Sequence, residues 1–60
     1  MAKYFTAIFF DADGNAYKYR NIRNTEHSLR KFIQFARNKN AVEINFYDKK
    51  TREFIHKERL

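Results

Sequence analysis

The sequence predicts an α+β domain: a β-hairpin, one helix and a second β-hairpin, with the four strands in one antiparallel sheet. Three observations predict it. Four short segments are rich in aromatic and β-branched residues, as strands are. The segment between the second and third of them, Leu29 to Ala36, repeats its apolar residues at helical spacing instead. Turn-forming clusters, Asp11–Asn15 and Asp48–Thr51, separate the segments of each hairpin. Sixty residues make one domain at most, spanning 1–60.

The first strand covers residues 3–10. One face carries Phe5, Ala7 and Phe9; the other carries Tyr4, Thr6, Ile8 and Phe10. A strand apolar on both faces belongs in the middle of a sheet. Asp11-Ala12-Asp13-Gly14-Asn15 then supplies a turn, because Gly accepts positive φ and Asp and Asn bond their own backbone. From Ala16 to Arg20, Tyr17 and Tyr19 alternate with Lys18 and Arg20, which reads as a half-exposed strand with a basic outer face.

Asn24 or Thr25 caps the helix, and Glu26 suits its first turn. Leu29, Phe32, Ile33 and Ala36 fall on one helical face, which Phe35 widens; Arg30, Lys31, Gln34 and Arg37 fall outside. Asn38-Lys39-Asn40 ends the helix, since Asn tolerates the left-handed conformation. Ala41 to Tyr47 forms the third strand, with Val42, Ile44 and Phe46 expected on one face and Glu43, Asn45 and Tyr47 on the other. Glu53 to Lys57 forms a short fourth strand, and Glu58-Arg59-Leu60 is expected to fray.

Strand directions set the topology. Strand 1 runs down, strand 2 up, the helix down and strand 3 up, so strand 3 lies beside strand 1 and the order is 2-1-3-4. One helix covers only one face of such a sheet. The other face is expected to show Tyr4, Thr6, Ile8, Tyr17, Tyr19, Tyr47 and Ile55, although a slip of one residue in a strand exchanges its two faces.

Composition narrows the functional classes. A chain this short buries only about 60% of its unfolded surface, so it needs a strong core or a partner. With no cysteine, disulfides and thiolate metal sites are excluded, and the residues suit a cytoplasmic location. Four Tyr and seven Phe offer an aromatic core instead. The run from Tyr4 to Phe10 is too short to span a bilayer, and no small-residue cleavage site follows it, so neither a membrane span nor a secretory signal is expected. The net charge of +6 favours polyanionic partners or simple solubility.

Ile8-Phe9-Phe10-Asp11-Ala12-Asp13-Gly14 resembles the first motif of haloacid dehalogenase-type phosphatases. That resemblance implies a nucleophile at Asp11 and an acid/base at Asp13. It covers seven residues: Asn15 stands where that family carries Thr, and the family's large doubly wound domain does not fit in 60 residues. A hairpin turn explains the same residues. An EF-hand loop is excluded, because Gly14 is fourth in the motif and Ile22 occupies its twelfth position. His27 and His56 show no metal-ligand spacing, and no Gly-rich phosphate loop is present. Neither an enzyme nor a cofactor, metal or small-molecule substrate is expected.

Two binding readings remain. In the first, the uncovered sheet face meets a protein partner or a second copy through Tyr4, Ile8, Tyr17, Tyr19 and Tyr47. In the second, Lys18, Arg20, Arg23, Arg30, Lys31 and Arg37 hold nucleic-acid phosphates while sheet aromatics stack bases. Lys49, Lys50 and Arg52 form a further basic cluster in the second turn.

Overall fold

A computed structural model describes residues 2–60. The elements follow in the expected order: β1 (Tyr4–Asp11), β2 (Ala16–Arg23), α1 (Glu26–Asn38), β3 (Ala41–Asp48) and β4 (Phe54–Arg59). The strands form one antiparallel sheet of order β2-β1-β3-β4. No helix among the described residues is long and apolar enough to cross a membrane.

The helix lies on one face of the sheet, and the core forms between the two. Phe5, Ala7 and Phe9 of β1, Ile22 of β2, Ala36 of α1, and Ala41, Ile44 and Phe46 of β3 are buried there. Phe9 is the hub. Its ring stacks on Tyr17 and Tyr19 at 4.9 and 5.8 Å and meets Phe32 and Phe35 edge-on at 6.0 and 6.4 Å. Burying a side chain of this size contributes about 1.5–3 kcal/mol, so a few such rings supply much of the stability of a short chain.

Local chemistry sets the boundaries. Thr25, not Asn24, is the N-cap: its Oγ1 accepts from the Ser28 N–H at 3.2 Å. Asn24 instead ties the hairpin base to the chain start, its N–H donating to the Lys3 carbonyl. Asn40 ends the helix in the left-handed region at φ 64°, as its residue type led one to expect.

Several expectations need correction. Tyr17 and Tyr19 were assigned to the uncovered face, but both lie on the helix side, packed on Phe9. Tyr17 is opposite Phe9 and Tyr19 opposite Ala7, both on the helix side of β1, and residues directly opposite in an antiparallel pair share a face. β2 also runs past Arg20 to Arg23. It does so through an irregularity in its pairing with β1, where Asn21 takes a φ of 65°. On β3, Ile44 and Phe46 are buried but Val42 is 48% exposed, and Ala41 takes the inward place. The cause is a register shift opposite Phe10 and Asp11. The C-terminus is not frayed: Glu58 and Arg59 belong to β4, and the Leu60 N–H donates to the Val42 carbonyl at 3.1 Å.

Candidate functional site

The acidic turn comes first, because its residues carried the phosphatase-like pattern. Asp11 is buried at the end of β1. Its Oδ1 accepts from the backbone N–H groups of Asp13 and Asn15, both at 2.9 Å. Its Oδ2 accepts from the Asn15 side-chain amide at 3.0 Å and the Tyr17 hydroxyl at 3.2 Å. Both oxygens are therefore committed to holding the turn. The Asn15 side chain, then the Asn15 and Asp13 N–H groups and the Tyr17 hydroxyl, hold the Asp11 carboxyl below its ordinary 3.8, against the opposing effect of burial. Burial, and next the bond to Asp11, push the Tyr17 phenol above 10.0. An anion so well bonded makes a stable turn anchor and a poor nucleophile.

The two histidines lie apart. His27 is exposed in the first turn of α1. His56 stacks over Phe46 on β4, with its Nε2 3.6 Å from Glu58.

The uncovered sheet face is different in kind. Alternation puts Tyr4, Thr6 and Ile8 of β1 there, as expected, together with Phe10 of β1 and Asn45 and Tyr47 of β3. Lys18 pairs with Ile8, Arg23 with Tyr4, and Lys57 with Asn45, so all three cations share this face. Tyr4 and Phe10 are 39% and 37% exposed, and Phe54, set edge-on to Tyr47 at 5.8 Å, is 55% exposed. Ile55 falls at the pairing irregularity between β3 and β4 and is exposed. Asn45 Oδ1 is sheltered and accepts no hydrogen bond from the described residues.

At one end the face becomes concave. Thr6, Ile8 and Tyr47 floor a depression of about 390 Å³. Lys18 and Arg20 wall it from β2, and Asp48, Lys49 and Arg52 wall it from the β3–β4 turn. Asp48 is occupied, its Oδ1 accepting from the Lys50 N–H at 2.8 Å and the Thr51 N–H at 3.3 Å. Lys49 reaches instead over the Tyr4 ring, at 5.7 Å from its centroid. Among the described residues, none of Lys18, Arg20, Lys49 and Arg52 forms an ion pair, whereas Lys57 pairs with Glu43 at 3.6 Å.

The basic residues singled out from sequence therefore divide. Lys18, Arg20 and Arg23 belong to the open face. Arg30, Lys31 and Arg37 lie on the outer surface of α1, across the molecule, and Arg30 is bound to Glu26 at 2.6 Å. Sequence reasoning left Phe10, Phe54, Lys57 and Arg59 out of the candidate surface. The i, i+2 spacing of Lys57 and Arg59 was the signal that joins them, once β4 is known to reach Arg59. Fold and surface together define a one-helix, four-stranded domain with an open basic-aromatic sheet face. Compared with family models, curated proteins and solved structures, the chain finds no match.

Proposed function

We propose that this chain is a non-catalytic binding module whose open sheet face holds single-stranded nucleic acid. One observation carries the reading: exposed rings and unpaired cations coincide on the one sheet face that the helix leaves bare. Unpaired bases offer π-faces to rings such as Tyr4, Phe10, Tyr47 and Phe54, and the phosphates between them need cations on the same face. A duplex hides its base faces and would leave the rings unused.

The reading in which two copies stack face to face has less support. Tyr19, one of its expected contacts, is turned toward the helix. Face-to-face stacking would also bring together two faces that each carry Lys18, Arg20, Lys49 and Arg52 without ion pairs among the described residues, and like charges across an interface are costly.

The test is a fluorescence-anisotropy titration with a labelled single-stranded oligonucleotide across a salt series. If four phosphates are neutralised, the logarithm of the affinity falls with the logarithm of salt at a slope of about −3. Arg20→Glu weakens binding and flattens that slope, while Lys31→Glu on the helix changes binding far less. Equal losses from both variants, or a salt-independent affinity, would remove the proposal.

A further inference from the structure

One concavity of the open face has a lining more particular than a strip that merely tracks a backbone. We infer that the depression between β2 and the β3–β4 turn is a seat for a single nucleoside monophosphate unit, gripping the phosphate between two basic walls and holding the base against Tyr47. The inference rests on the nucleic-acid reading of the open face and names what one part of that face recognises.

Size is the first ground. About 390 Å³ lies within the range of pockets that hold small ligands, roughly 300–1,000 Å³, and is far too small for a folded partner. Charge is the second. Lys18 and Arg20 come from one side and Lys49 and Arg52 from the other, four cations against the single acid Asp48, and none of the four forms an ion pair among the described residues. Asp48, the acid in the wall, spends its Oδ1 on the turn backbone. Two facing pairs of cations repel one another until an anion sits between them, and a phosphate supplies it with acceptor oxygens on several sides.

The backbone supplies a third ground. Arg52 adopts a φ of 68°, in the left-handed region where glycine is favoured. Its N–H closes the turn onto the Asp48 carbonyl at 2.7 Å. The sequence thus places a guanidinium at a position whose conformation suits glycine, and that guanidinium lines the depression. Such strain is tolerated where a side chain has work to do. The floor is the fourth ground: Tyr47 offers a ring, and Thr6 a hydroxyl beside it.

Arg52→Gly is the informative variant, because glycine suits the local backbone and the substitution takes the guanidinium away with the rest of the side chain. Adenosine 5′-monophosphate, adenosine and inorganic phosphate are each titrated into the whole chain and followed by amide chemical shifts. The monophosphate is expected to shift Thr6, Ile8, Lys18 and Tyr47, adenosine to bind at least tenfold more weakly, and Arg52→Gly to weaken the monophosphate at least fivefold while its melting temperature holds or rises. Three results would overturn the seat: no monophosphate shifts at these residues, unchanged monophosphate affinity in Arg52→Gly, or inorganic phosphate binding as tightly as the nucleotide. If an oligonucleotide binds in the anisotropy assay and the monophosphate does not, the seat falls and the open-face reading stands. If the monophosphate binds here and no oligonucleotide does, the open-face reading falls instead, and the depression serves free nucleotides.

Discussion

Asp11 stands where a nucleophile would stand in a phosphatase-like strand end, and its surroundings give it a structural task instead. Four donors reach its two oxygens, and the hydrogen bonds hold its carboxyl below the ordinary 3.8. A depressed folded value means that the ionised group favours the folded state. The stabilisation is complete above about pH 4 and is lost as pH falls through the folded value. A carboxyl-carbon titration of Asp11 should therefore have its midpoint below 3.8, and Asp11→Ala should lower stability at pH 7 while flattening the acid limb of the unfolding curve. A midpoint at or above 3.8 would contradict the turn-anchor role. The turn itself was legible from residue types alone, because Asp, Gly and Asn each bring a local backbone preference. The hydrogen bond from Tyr17 was not, because it depends on which face of β2 that ring occupies.

The elements show where pattern reading succeeds and why it stops. The helix stripe from Leu29 to Ala36 and the left-handed Asn40 follow from periodicity and propensity, which are local. Bulges are not local. A single extra residue, Asn21 in β2 or Val42 in β3, changes the facing of everything on one side of it, and a short alternating run does not reveal where the extra residue sits. That is why Val42 was expected inside and lies outside. For β2 the error lay in the face of the whole alternating run: Tyr17 and Tyr19 follow Phe9 to the helix side and leave Lys18 and Arg20 on the open one. The cap choice between Asn24 and Thr25 is resolved in favour of Thr25. Thr25→Ala should cost about 1 kcal/mol, which for a chain of this size lowers Tm by roughly 4–8 °C in a circular-dichroism melt. An unchanged melt would mean that the cap bond contributes nothing.

At the scale of the whole molecule, one helix and four strands leave a sheet with two unlike faces. The helix side gathers most of the rings into a core around Phe9, which lets a short chain without disulfides hold together. The open side gathers more cations than its acids pair: Lys57 is bound to Glu43, while Lys18, Arg20, Lys49 and Arg52 form no ion pair among the described residues. The net charge of +6 is therefore organised by the fold, and the residues responsible come from β2, the β3–β4 turn and β4, which are distant in sequence. No window of sequence displays that surface, so only its ingredients could be read beforehand. The open-face reading has a direct test in chemical-shift mapping of the whole chain with a single-stranded oligonucleotide at low salt. Binding there predicts shifts at Thr6, Ile8, Lys18, Arg20, Asn45, Tyr47 and Lys57, with Arg30, Lys31 and Arg37 unmoved. Shifts centred on α1, or no shifts at any residue, would contradict it.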